Sequence, residues 1–284
     1  APPSGYLALC TANLPEPTIG ANSDTQADDY FNTVLYTSDN IGADGTQNVT
    51  GVGFKPDWVW LKNRTSGSTS HTLYDSNRGT GRHNSPDSNI GEVGLNSEYG
   101  YLGTFGDDGY TLRGGSTNAN YVNQSTDAYA SWNWKANGGT TVTNEAGSID
   151  STVQANTDAG FSIVTFEGNK TRGATIGHGL GVKPDMIIMK NRDLEVSWVV
   201  WFPNLQANNQ LLELNSTGAV LTNTGDVNAW WNNTAPDENV ITLGDYDGIN
   251  DDLSMLAYCF NSVEGYSKFG KYTGNGNVDG TFIY

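Results

Sequence analysis

Gly51-Val52-Gly53-Phe54-Lys55-Pro56-Asp57-Trp58-Val59-Trp60-Leu61-Lys62-Asn63-Arg64 decides the fold, because it occurs twice. It returns as Gly179-Leu180-Gly181-Val182-Lys183-Pro184-Asp185-Met186-Ile187-Ile188-Met189-Lys190-Asn191-Arg192, 128 residues further on (179 − 51). The flanks follow, with Phe31 to Tyr36 before the first occurrence answering Phe161 to Phe166 before the second. Lys-Pro-Asp supplies a turn, since Pro presets φ and Asp hydrogen-bonds nearby backbone, and the turn launches a short strand. Trp58-Val59-Trp60-Leu61 and Met186-Ile187-Ile188-Met189 are apolar at every position, so each strand is predicted to be covered on both faces and to centre a core of its own. What both repeats share reads as scaffold rather than chemistry.

Thirty-five glycines, nine prolines and only 16% charged residues describe many short strands joined by tight turns, with no convincing amphipathic helix. The predicted class is all-β: two homologous antiparallel β-sandwiches of jelly-roll type, over residues 28–138 and 161–264. Residues 139–160 read as a linker with at most one short strand. Gly5 to Cys10 reads as the last strand of an upstream β-sandwich, closing a segment 1–27 that belongs to neither repeat. Lys271-Tyr272-Thr273-Gly274 restates Leu35-Tyr36-Thr37-Ser38, so 265–284 reads as the start of a third repeat. The polar stretch Ser76 to Ser97 has no periodicity and is predicted to be a mobile loop.

A formal net charge of −17 repels phosphate backbones and anionic lipid, so nucleic acid and membrane surfaces are poor partners. No apolar run reaches the roughly 18 residues of a membrane helix. Two cysteines, Cys10 and Cys259, make no disulfide framework, and Cys259 is predicted to be buried and free. Six Asn-x-Ser/Thr sites, at Asn48, Asn63, Asn123, Asn169, Asn215 and Asn232, are no more than so Asn-rich a chain yields by chance.

Candidate sites are few. His71, His83 and His178 stand in no nucleophile elbow, ligand pair or Cys/His cluster, so no catalytic residue is assigned. Asp245, Asp247, Asp251 and Asp252 crowd a glycine turn and form a candidate calcium loop, although it lacks the closing Glu of a twelve-residue loop. Asp107-Asp108 is a weaker candidate of the same kind. No other cofactor is expected. Trp230 and Trp231 are the candidate glycan contacts, since an exposed indole offers a flat apolar face. Trp58, Trp60, Trp132 and Trp134 align with Met186, Ile188, Tyr258 and Phe260 and are expected in the core. Lys62, Arg64, Lys190 and Arg192 place scarce cations at the end of the repeated strand, where an internal ion pair or carbonyl clamp is expected.

The repeated segments, with Trp231-Asn232-Asn233-Thr234-Ala235-Pro236, Ala257-Tyr258-Cys259-Phe260 and Val263-Glu264-Gly265-Tyr266-Ser267-Lys268-Phe269-Gly270, resemble an uncharacterised repeated domain of tail-fibre and other virion structural proteins of marine and cyanobacterial phages. In that family a SPRY-like, concanavalin-type β-sandwich often precedes the repeats and ends much like residues 2–17. The resemblance covers nearly the whole chain and carries no catalytic or binding residues to transfer. It implies a virion fibre or appendage, trimeric and extracellular, acting in attachment to a host-surface glycan or protein. Two other readings stay open: a secreted carbohydrate-binding module or lectin, suggested by Trp230 and the acidic loop, and a polysaccharide depolymerase, which needs paired carboxylates facing one cleft.

Overall fold

The computed structural model describes residues 19–281, apart from 21–23, 44, 96–97, 118–120, 125 and 204–206. The expected upstream strand and Cys10 lie outside the described residues. The first repeat holds β1 (Phe31–Thr37), β2 (Thr46–Thr50), β3 (Trp58–Asn63), β4 (Thr72–Asp75), β5 (Tyr101–Gly106), β6 (Gly109–Arg113) and β7 (Ala128–Trp134). After β8 (Val142–Asn144) and β9 (Ser151–Asn156), the second holds β10 (Phe161–Glu167), β11 (Thr175–Gly177), β12 (Met186–Asn191), β13 (Val199–Trp201), β14 (Gln210–Glu213), β15 (Leu221–Thr222), β16 (Val240–Thr242) and β17 (Ser254–Phe260). The described residues contain no α-helix, and the protein is all-β.

Strand order recurs between the repeats. The first repeat pairs β1-β7-β3-β4 in one sheet and β2-β6-β5 in another; the second pairs β10-β17-β12-β13 within an eight-stranded sheet and β11-β16 opposite it. All of these pairings are antiparallel, as in β3 against β7, where Trp58 faces Trp134 and Trp60 faces Trp132. The repeated sequence explains its own geometry. Gly51 and Gly53 adopt φ of +86° and Gly179 and Gly181 adopt +74° and +71°, a region that glycine enters without steric cost, so Gly-x-Gly turns the chain into the central strand. The aspartate of Lys-Pro-Asp ties the start of that strand to the end of the last one. Asp57 accepts hydrogen bonds from the backbone N–H of Ala136 (2.7 Å), Gly138 and Gly139, and Asp185 accepts from Ser262 N–H (2.7 Å).

Three cores follow from the alternation of side chains. Val59 and Leu61 of β3 meet Val49, Leu102, Tyr110 and Leu112 of the facing sheet. Ile187 and Met189 of β12 meet Ile176, Ile241 and Leu243. The opposite faces of β3 and β12 turn toward each other, and Trp58, Leu73, Phe161, Ile163, Ile188, Leu256, Tyr258 and Phe260 form one aromatic core between the repeats. Each repeat thus has a core of its own and shares a third with the other repeat. The sheets stack four deep, and the apolar residues on the second face of each repeated strand are what require the other repeat.

Two further expectations change. Residues 139–160 are no linker: β9 pairs with β10, Val153 opposite Val164, and β8 with β9, so that both extend the eight-stranded sheet. Residues 76–95 are no mobile loop. They form a strap with Arg78, His83, Asn84 and Ser85 buried, and Asn77, Arg78 and Ser85 find partners in the second repeat that no periodicity announces. In the segment read as a third repeat, Lys271 to Thr281 is exposed and forms no strand, with Tyr272 66% exposed.

Candidate functional site

The strap crosses the eight-stranded sheet and brings together the densest set of titratable groups. Asn77 donates to the carbonyls of Thr152 (3.0 Å) and Ile163 (3.2 Å), and Ser76 Oγ donates to Gln154 (2.9 Å). Further along, Ser85 O accepts from the Trp198 indole N–H (2.9 Å) and Asn89 O accepts from Lys190 (3.3 Å). At its centre the buried Arg78 guanidinium is paired with Asp75 (2.6 Å) and Glu92 (2.9 Å), and Tyr258 OH donates to Asp75 (2.7 Å). Glu92 is gripped in addition by Arg192 (2.9 Å) and Arg82 (3.0 Å).

Burial alone would raise the Glu92 pKa, but the Arg192 hydrogen bond and the Arg78 charge bring it down to about 2. Burial, helped by Arg78, pushes the His83 imidazole down to about 4. His83 is fully buried against Tyr74 and Tyr121, and neither ring nitrogen has a hydrogen-bond partner in the structure. Every carboxylate of this cluster faces a guanidinium and none faces a cleft, so the arrangement fastens the repeats together and offers no base or nucleophile to a substrate.

The cluster sets the acid response. The unfolded chain takes up a proton at His83 near pH 6.5 and the folded chain only near pH 4, so stability is complete above pH 6.5 and is lost as the pH falls toward 4. The expected loss is about 3 kcal/mol. Glu92 adds a loss between its ordinary value of 4.5 and about 2. Urea midpoints across the two intervals measure this, and His83→Phe should abolish the upper step; a midpoint that still falls there would assign the step to another group.

The repeated cations divide. Lys190 Nζ is a carbonyl clamp, donating to Asn191 O (2.8 Å) and Leu194 O (2.8 Å) besides Asn89 O, and burial pushes its ammonium down to about 8. Lys62 likewise donates to Thr69 O. Arg192 joins the strap, whereas Arg64 is exposed, with its backbone N–H on Ala128 O (2.7 Å). The residue between the two cations also repeats its role. Asn63 Oδ1 accepts from Thr65 N–H and Ser66 N–H, and Asn191 Oδ1 from Asp193 N–H and Leu194 N–H, so each Asn caps the turn that ends the central strand.

The acidic loop does not converge on a cation. Asp245 and Asp226 flank Arg172 (2.8 and 2.7 Å), Asp251 pairs with Lys170 (2.5 Å) with Asp247 at 3.9 Å, and Asp252 joins neither pair. Among the described residues no group of three or more His, Cys, Asp or Glu is placed to hold a metal ion. In this structure Lys170 and Arg172 are the counter-ions of Asp251 and Asp245. Asp108 accepts from Gly51 N–H and Gly53 N–H and so braces the Gly-x-Gly turn. Trp231 is corrected as a glycan contact: it is fully buried, its N–H on Gln210 O (3.3 Å). Trp230 is half-buried on the loop that touches Gly244 and Asp245, where Gly244 N–H donates to Trp230 O (2.6 Å). Cys259 is buried and free, and burial pushes its thiol up to about 12.

A cleft of about 270 Å³ lies at the rim of the inter-repeat core. Phe31, Trp58, Trp60 and Trp134 line it from the first repeat, Met186 and Phe260 from the second. Tyr266 and Ser267 add the polar groups of its lining. It can hold an apolar or aromatic group. The family model described as "Domain of unknown function (DUF7483)" matches residues 26–284. No curated protein and no solved structure matches the chain.

Proposed function

The chain belongs to the family described as Domain of unknown function (DUF7483), and we propose that it serves as a non-catalytic structural and adhesive module of a phage tail fibre or virion appendage, assembled as a homotrimer and attached to a host surface. The observation that carries this reading is the strap. Side chains that would mark a site elsewhere, among them Arg78, Glu92, Arg192, Lys190 and Trp198, are all engaged in fastening one repeat to the next. A stiff stack whose charged groups face inward suits a load-bearing element, with variation left to the outer loops. Light scattering on the purified chain should give the mass of an elongated trimer, and a compact monomer would count against the reading. A depolymerase is disfavoured because Asp226 and Asp245, the exposed carboxylates brought closest through a shared partner, are separated by the Arg172 guanidinium that neutralises both.

A second reading, a secreted carbohydrate-binding module, is favoured by Trp230 alone. Its half-exposed indole shares a loop surface with the Arg172–Asp226–Asp245 group, and a stacking face beside planar polar groups is what a sugar ring requires. Glycan-array binding that disappears in Trp230→Ala would support it.

A further inference from the structure

The inter-repeat faces of the two central sheets are unequally covered. On the second repeat Ile163, Ile188, Leu256 and Tyr258 are buried beneath the first repeat and its strap. Trp60 and Trp132 occupy the places of Ile188 and Tyr258 in the first repeat and remain half-buried, while Leu35 on the same face of β1 is 61% exposed. The described part of the corresponding connection after β13, from Phe202 to Asn209, supplies no strap. β1 also pairs only with β7 among the described residues, whereas β10, its counterpart, carries β9 on the other edge.

We propose that a second copy of this chain docks on this open surface, the Leu35–Trp132–Trp60 face of β1, β7 and β3. The inference rests on the assembly reading above and names its contact. Three observations point to a copy of the chain. The surface is continuous, through the cleft at Trp60 and Trp134, with the aromatic core that already joins repeat to repeat, so the chain itself displays what covers such a face. The face positions of β1, β7 and β3 carry no carboxylate, and Lys62 is their one charge. In a molecule of net charge −17 this is a place where two copies approach without repulsion. The Trp60 and Trp132 rings stand edge to face, 75° apart with centroids at 6.3 Å, which interlocks with side chains and denies a sugar the coplanar platform it would lie on.

The test compares the wild type with Leu35→Arg and Trp132→Arg by sedimentation over a concentration series, with circular dichroism as a check on folding. The wild type should associate, and each variant should weaken association by about tenfold or more while keeping the β spectrum. Leu35 is exposed enough that its variant decides the matter should Trp132→Arg unfold. An oligomer untouched by Leu35→Arg overturns this surface and leaves the assembly reading standing. A wild type that is monomeric throughout overturns both. Oligosaccharide quenching of indole fluorescence that Trp132→Arg removes and Trp230→Ala spares would make the face a glycan platform and overturn the proposal.

Discussion

Arg78→Ala is expected to lower the unfolding free energy by about 3–5 kcal/mol, the usual cost of stripping a buried ion pair of one partner. The guanidinium has no exposed surface and touches five groups: Asp75, Glu92, Asn84, the Leu73 carbonyl and Tyr258 OH. Its loss leaves Asp75 as a buried negative charge whose one remaining side-chain donor of this set is Tyr258 OH. Glu92 is less affected, because Arg192 and Arg82 still hold it. The damage should therefore concentrate on Asp75, and that separates this account from a simple loss of packing. A double variant, Arg78→Leu with Asp75→Leu, removes both charges and should be destabilised by less than the sum of the two single variants. Urea denaturation of the four proteins measures the difference. Additive losses would mean that the pair is not coupled and that Arg78 acts only by filling space.

Much of the fold is legible in the residues, and the reason is local. Gly-x-Gly, Lys-Pro-Asp and the apolar run after them each specify a backbone conformation within a few positions, so the strands, their turns and the expectation that β3 and β12 are covered on both faces all follow from the chain. What covers the second face is not local. Trp58 and Ile188 look equally buried in sequence, and nothing in either strand says that one repeat roofs the other. The strap illustrates the same limit from the polar side. Ser76 to Leu95 lacks any period because its order comes from single hydrogen bonds to distant carbonyls, such as Asn77 to Ile163, and irregular polar sequence reads as mobility until those acceptors are placed. Among the candidate sites, the acidic turn shows its carboxylates in sequence without their counter-ions, because Lys170 and Arg172 lie some seventy or eighty residues away in the chain. Asn63 and Asn191 stand beside two cations, and their recurrence in both repeats is the available signal.

Trp58→Ala is expected to cost about 3–5 kcal/mol, and its more telling effect is on cooperativity. The indole is 1% exposed and stacks on Tyr258 (4.4 Å between centroids) and Phe161 (5.5 Å), with Phe260 at 5.9 Å, so one side chain of the first repeat is packed among three of the second. Because Val59 and Leu61 remain in place, the inner core of the first repeat survives the substitution, and the loss falls on the joint. Two self-contained lobes would unfold in two transitions even in the wild type, and truncating Trp58 would shift only the first. Two repeats that share a core should unfold in one transition, coincident by indole fluorescence and far-ultraviolet circular dichroism, and Trp58→Ala should divide it. Calorimetry gives the same contrast through the ratio of van't Hoff to calorimetric enthalpy, near one for the wild type and below one for the variant. A wild type that already melts in two steps would show that the aromatic core joins the repeats without coupling them. The stiffness from which the fibre reading starts would then have to come from the strap alone.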